Sequence, residues 1–314
     1  MSMIACYEPD FVRSFLSHHP GSPLQVRMMW QDEVRESLML TESASCKAAL
    51  GNPDAFALNV TQCKADPTAP ALPERVRVLN QAALHCVTLT GLAPELHLYA
   101  LGIMLSYAEK LPGDSDVVLA RLAALPQILA EYVEEGKLQH QYASLPCVPG
   151  LQCRLLTLIG GIDFDWQPLP ESARKLSLPL QMNLLMMQDA NSEALLLQQL
   201  HQQWQDIYPH NLAEDAFIFS HYLIYRLYHD VFPHADDASV SQRYFELVSD
   251  FVVLRTLFSL WTLDGSPLGH DEIYGMFALA ERWRHSRAAT AWRQQLAAAL
   301  PADYLLSAFS LLVC

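Results

Sequence analysis

The sequence predicts an all-α protein, a multi-helix bundle array in one or two helical subdomains. Three observations carry this. Apolar residues recur at helical spacing along most of the chain. Glycine is scarce: 12 of 314 residues, roughly half the usual ~7%, which leaves few places for the tight turns and bulges of a many-stranded fold. The clearest periodic runs begin at prolines or stop at glycines, the positions where helices start and end.

Taken in order, Glu8–His18 reads as a short helix that ends before Pro20 and Gly21. Leu24–Leu40 is mixed in composition but has helical spacing. Ser43–Leu50 is rich in small residues, and Gly51-Asn52-Pro53 stops it. Residues 52–72 carry Pro53, Pro67 and Pro70 and form the best candidate linker. Residues 1–72 are therefore expected to hold short helices and an irregular linker. Residues 73–140 predict a three-helix bundle. Pro73-Glu74 opens a helix that runs to Gly91, Pro94–Leu111 repeats the design, and Asp116–Glu135 ends at Gly136 with a bend at Pro126. Residues 141–170 are the expected connector. Within them CRLLTLI, residues 153–159, could be a short strand or a buried helical turn, because periodicity cannot decide on so short a run.

Residues 171–314 predict a C-terminal helical domain. Ser172–Asp206 reads as one or two helices interrupted near Pro179 or at 189–191. A helix over about 213–231 carries the stripe Leu212, Ala216, Phe219, Leu223, Leu227 and Val231. Asp236–Ser239 caps the next helix, with Ser239-x-x-Gln242 as a capping box. Its seam is Tyr244, Leu247, Phe251, Leu254, Phe258 and Trp261, and it is apolar on other faces too, which marks a central, buried helix. Three short helices follow, His270–Ala280, Glu281–Leu300 and Ala302–Leu312.

Charge and motifs exclude several functions. With 20 Lys and Arg against 34 Asp and Glu, the formal charge is −14, so nucleic acid is not an expected partner. No G-x-G occurs, which removes the P-loop, the dinucleotide fingerprint and the common glycine-rich loop for S-adenosylmethionine. Seven scattered cysteines, with Cys147 and Cys153 the closest pair, match no common zinc spacing. They suggest reduced thiols in the cytoplasm. The first residues lack a basic region before an apolar core, so no signal peptide is expected. The longest charge-free run, Val78–Pro94, is too polar to span a membrane.

Four constellations could carry chemistry. Arg282, Arg284, Arg287 and Arg293, among Trp283, His285 and Trp292, reverse the local sign of the chain. They read as an anion site, or as arginines paired with acids elsewhere. HYLIYRLYHDVFPH, residues 221–234, could line a pocket with Tyr222, Tyr225, Tyr228 and Arg226, or snorkel its tyrosines outward. Its histidines, His221 and His229, stand too far apart to chelate as an i, i+4 pair. Glu246 and Asp250 share one face of an apolar helix with Arg255 a turn further on. They could bind a lysine ammonium or form an internal charge-paired patch. Asp163, Asp165 and Trp166, in GGIDFDW, suggest a ligand-facing loop or a plain acidic turn. The expected substrate-binding face is Tyr222, Arg226, Glu246, Asp250 and Arg255, with Arg284 or His285 nearby. By residue type, the acids would receive a lysine ammonium, the tyrosines pack its stem, and the arginines hold a carboxylate. No catalytic residue and no metal ligand is identified.

Several stretches, taken in order, resemble the flagellin lysine-N-methylase family. EPDFVRSF is similar to its N-terminal proline–aromatic segment, and LTESASCKAALGNPD, residues 40–54, to its S-C-P-E-A-A-R-L-A-L segment. RVLNQAALHCVTLTGLAPELHLYALGIMLSYAEKL looks like the paired helices that follow. HYLIYRLYHDVFP, YFELVSDFVVLRTLF and AERWRHS resemble later segments. The resemblance covers most of residues 40–290 and lies in spaced apolar and aromatic positions. It implies a cytoplasmic bacterial methyltransferase that moves a methyl group from S-adenosylmethionine to flagellin lysines, using a cysteine-bound iron–sulfur cluster.

The sequence departs from that family where the cluster would sit. No cysteine lies between Phe15 and Leu40, Glu42 falls where the family has a cysteine, and Lys47 falls on its arginine. A [4Fe–4S] cluster normally takes four thiolates, so none is expected in this chain. Three readings follow: a divergent or shortened lysine methylase with flagellin or another protein as partner, a non-catalytic helical protein-binding module or flagellar accessory protein derived from that family, and an unrelated all-α regulator with a ligand pocket near Arg226 and Arg255.

Overall fold

The computed structural model describes residues 3–146, 149–187, 190–212, 216–234, 238–299 and 303–313, except the side chains at 149, 190–194 and 208–211. In chain order the elements begin β1 (Met3–Pro9), α1 (Asp10–His18), β2 (Gln25–Met29), β3 (Glu33–Leu38), α2 (Ser43–Leu50), β4 (Leu58–Lys64), α3 (Glu74–Val87), α4 (Pro94–Glu109), α5 (Asp116–Glu134) and α6 (Lys137–Ala143). They continue with α7 (Pro149–Gly160), α8 (Ala173–Leu185), α9 (Ala190–Asn211), α10 (Phe217–His229), α11 (Val240–Trp261), α12 (His270–Arg284), α13 (Arg287–Ala299) and α14 (Tyr304–Leu312). Among the described residues no single helix is long and apolar enough to cross a membrane.

The chain forms two compact units. The first comprises Met1–Lys137 with Phe217–Val240, and the second Leu138–Ala216 with Ser241–Cys314. Helix α10, which the sequence groups with the C-terminal helices, packs on α2 and α3 in the first unit.

The structure is mostly helical, and the all-α expectation is corrected in residues 1–72. Four strands there form one sheet in the order β2-β3-β1-β4. Strand β1 runs parallel to β3 and antiparallel to β4, with Cys6 opposite Val34 and Thr61. Strands β2 and β3 form a hairpin in which Met29 lies opposite Val34 and the Trp30 N–H bonds the Glu33 carbonyl. Its loop, Gln31-Asp32, is not one of the glycine-containing pairs that announce such a turn. The supposed linker 52–72 supplies β4.

Helices α3, α4 and α5 pack on one another in the first unit. Helix α5 runs through Pro126, and Gly136 just past its end takes φ +69°, a left-handed conformation that glycine adopts without penalty. In the second unit CRLLTLI is helical, within α7. Helix α8 starts at Ser172, whose hydroxyl accepts from the Lys175 N–H, and continues through Pro179. The interruption falls after Leu185, and part of it, at 188–189, lies outside the described residues. Helix α11 is buried from Leu247 to Trp261 without a gap, as its apolar surround predicts. Asp236 of its expected cap lies outside the described residues. Helix α12 extends to Arg284 rather than stopping at Ala280. Asp303 caps α14, accepting from the N–H groups of Leu305 and Leu306 at 3.0 Å each.

Candidate functional site

The structure distributes the seven expected site residues among four places. Tyr222 and Arg226 lie on α10 in the first unit. Arg226 is buried, and its Nε donates to Asp230 Oδ2 at 3.1 Å while Nη1 donates to the Tyr222 hydroxyl at 3.3 Å. Its guanidinium also sits 5.8 Å from the Tyr222 ring centroid. A buried charge needs such partners. The other tyrosines of the stretch turn inward as well: the Tyr228 hydroxyl donates to the Tyr7 carbonyl at 3.1 Å, and the Tyr225 ring stacks on His229. Outward snorkelling is thereby overturned.

Beside α10 lies a buried polar network that sequence reasoning missed. Arg35 Nε donates to Glu33 at 2.7 Å, and Arg35 Nη1 donates to Asn80 Oδ1 at 2.8 Å. The Asn80 amide donates to the carbonyls of Leu227 and Phe232, both at 2.8 Å. Arg35 also faces the Trp30 and Tyr228 rings, and Ser37 Oγ bonds His229 Nδ1 at 2.8 Å. The polar run Glu33-Val34-Arg35-Glu36-Ser37 gives no hint of burial, because charged strand residues are ordinarily exposed.

In the second unit, Glu246 borders an open cleft of about 390 Å³ between α11, α13 and α14. That volume is in the range of small-ligand sites. Glu246 accepts from Arg243 at 3.0 Å and Gln242 at 3.4 Å. Phe245 and Tyr304, whose ring centroids stand 5.5 Å apart, and Arg293 also line the cleft. One turn along α11, Asp250 is held by Arg293 through three contacts of 2.7, 3.0 and 3.1 Å. Arg293 is fixed in turn over the Trp283 ring at 5.6 Å. The structure therefore joins the Glu246–Asp250 face to one arginine of the basic cluster. Sequence analysis missed Phe245 and Tyr304 as cleft residues. Tyr304 reaches the cleft only through the packing of α14, a contact without a local signal.

The remaining expected residues lie elsewhere in the second unit. Arg255 donates to the carbonyls of Leu311 and Leu312 at 3.3 Å each, at the end of α14, where a cation complements the helix dipole. Beside it a cavity of about 30 Å³, lined also by His201, has room for only one or two waters. Burial, with Arg255 adding to it, holds His201 below the usual imidazole range. Arg284 clamps the fully buried Glu281 at 2.7–3.1 Å, and His285 approaches the same carboxylate at 3.4 Å. Arg282 pairs with Asp165 at 2.6 Å, and that hydrogen bond holds Asp165 below the usual carboxylate range. Three of the four clustered arginines thus have acidic partners, and the acidic turn GGIDFDW supplies one.

The described cysteines are not gathered at one place. Cys6 and Cys63 lie in one small apolar cluster on the sheet. The Cys46 thiol donates to the Leu40 carbonyl at 3.2 Å, Cys86 approaches Met104 Sδ at 3.6 Å, and Cys153 lies on α7 in the second unit. Cys147 and Cys314 lie outside the described residues. Among the described residues no three His, Cys, Asp or Glu side chains converge as metal ligands.

Comparison with known proteins places this chain in a family. Residues 80–294 match the model of the FliB lysine N-methylase C-terminal domain. Two curated proteins named lysine-N-methylase, from Salmonella choleraesuis and Salmonella typhimurium, are each 21% identical over 278 residues. The match covers 86% of this chain and 69% of theirs. No solved structure matches.

Proposed function

The chain belongs to the FliB lysine N-methylase C-terminal domain family, and from that premise we propose that it is a divergent protein-lysine N-methyltransferase acting on flagellin in the bacterial cytoplasm. The observation that supports a lysine site is the cleft at Glu246. A partly exposed carboxylate borders it, two rings line it, and Arg293 is locked onto Asp250 behind it. A substrate ammonium would take the place that the Arg243 guanidinium holds at Glu246, and the half-exposed Arg243 would swing to solvent. Tyr304 would pack the lysine stem, backed by the buried Phe245 ring. The roles assigned to Tyr222, Arg226, Arg255, Arg284 and His285 do not extend to this cleft.

S-adenosylmethionine is the proposed methyl donor and would supply the electrophilic methyl group. The sequence has no glycine-rich loop of the kind that would cradle it, and the described cysteines do not converge as ligands of an iron–sulfur cluster. A second reading, a non-catalytic module that binds flagellin or another protein, is favoured by the dispersed thiols.

The test is methyl incorporation into purified flagellin from labelled S-adenosylmethionine under anaerobic conditions. The methylase reading expects incorporation, and expects Glu246→Gln to lower kcat/KM by roughly 10–100-fold, the worth of one charge-assisted hydrogen bond. Flagellin binding without incorporation would establish the module instead.

A further inference from the structure

Helix α8 is apolar on two opposite faces, and among the described residues only one is covered. Leu178, Met182 and Leu185 are buried. Their side of the helix lies against α7, where Gly160 lets the backbones approach: a Cβ there would stand 2.7 Å from the Met182 carbonyl oxygen. The outer face carries Leu176, Leu180, Leu184 and Met187, spaced 4, 4 and 3 residues apart, and these are 75%, 65%, 53% and 79% exposed. Met186, beside them, is 46% exposed. An all-round apolar helix is ordinarily a buried one.

We infer that this outer face is the two-fold interface of a homodimer, in which α8 packs on α8 of a second copy. Three features select a copy of the same chain over a foreign partner. The first is charge. The protein carries −14, so most of its surface repels another copy, yet residues 176–187 contain no charged residue at all. The second is composition. Interfaces between identical chains are more apolar and poorer in charge than interfaces between different proteins, and nothing along this stripe would select a partner of opposite sign. The third is area. The five side chains together expose roughly 500–600 Å² of apolar surface, at the upper end for one patch on a monomer. With the polar rim of Ser177, Gln181 and Asn183 the face approaches the ~800 Å² that each partner contributes to a stable complex. A single straight ridge is also self-complementary about a two-fold axis, since leucines four apart on one helix fit between those of an antiparallel mate.

The experiment is sedimentation velocity on the full chain from about 1 to 100 μM. The expected result is twice the chain mass for the wild type. Leu180→Glu places two carboxylates near the axis and is expected to give a monomer over the whole range with an unchanged circular dichroism spectrum. Should Leu180→Glu disturb the fold, the milder pair Leu176→Ser with Leu184→Ser is expected to weaken the dimer at least tenfold. A wild-type monomer at 100 μM, or a Leu180→Glu dimer with native secondary structure, overturns the inference. A wild-type monomer whose binding to flagellin is lost in Leu180→Glu would give the face to a foreign partner and overturn it equally.

Discussion

Asn80 spends its side-chain bonds on two separate tasks. Its carbonyl oxygen accepts from the buried Arg35, and its amide nitrogen donates to the carbonyls of Leu227 and Phe232. Between those two carbonyls lies Val231 at φ +49°, a strained conformation for a β-branched residue. Asn80→Ala would strand the Phe232 carbonyl and one guanidinium nitrogen of Arg35 in the interior, and leave the Leu227 carbonyl with the Phe232 N–H at 3.0 Å alone. At about 1–3 kcal/mol for each stranded group, with partial relaxation, the expected loss is ~3 kcal/mol or more in urea denaturation. A loss below about 1 kcal/mol would show that water replaces all three bonds. Buried histidines make a second prediction. His97 Nε2 bonds the Leu89 carbonyl at 2.7 Å, and burial lowers its pKa; burial lowers those of His201 and His221 too. The unfolded imidazole titrates near ~6.5, so below that pH the unfolded chain binds protons that the folded chain refuses. Stability should therefore be complete above pH ~6.5 and fall as the pH drops from there toward the lowered folded values. His97→Gln, which keeps a donor for the Leu89 carbonyl, should show a shallower fall. An unchanged slope would remove His97 from the account.

Among the elements, the contact between α7 and α8 depends on one glycine of an adjacent pair. At Gly160 an added Cβ would meet the Met182 carbonyl at 2.7 Å and Leu185 Cβ at 2.9 Å, whereas at Gly161 the nearest atoms are 3.6 Å away. Helix propensity alone would make Gly160→Ala stabilising by about 1 kcal/mol. The backbone clash outweighs that, because a carbonyl cannot rotate aside as a side chain can. Gly160→Ala is expected to lower stability by roughly 1–3 kcal/mol and Gly161→Ala to change it little, read as Tm. Equal effects would show that α8 shifts freely. Elements of this kind were legible where one period dominates: α10 and α11 follow from their apolar stripes, and α5 from Gly136. The sheet was not. β3 puts Glu33, Arg35 and Glu36 inside, so its polar residues conceal the period of two on which a strand is recognised. The site was partly legible. The i, i+4 spacing brought out Glu246 and Asp250, but the arginine that holds Asp250, Arg293, comes from 43 residues away, and only packing selects it from a cluster of four.

For the molecule as a whole, the decisive question is whether its thiols can hold a metal cluster. A cluster takes thiolates, and takes them at one place. Here burial pushes the Cys86 thiol up to about 12, and burial with Glu36 nearby raises that of Cys6. Cys46 donates its proton to a carbonyl, a bond that a thiolate could not make. Burial thus favours the neutral thiol at Cys6 and Cys86. Cys153 belongs to a different unit from Cys6, Cys46, Cys63 and Cys86. Deprotonating and gathering four of them would break the packing around the sheet and α3, at a cost in stability that metal binding would first have to offset. Iron and acid-labile sulfide in anaerobically purified protein are therefore expected at background, and chelation should leave the Tm unchanged. About four irons per chain with matching sulfide would mean that these thiols rearrange around a cluster. Methyl incorporation by the iron-free protein would instead place the chemistry in the helical body that this chain shares with its relatives.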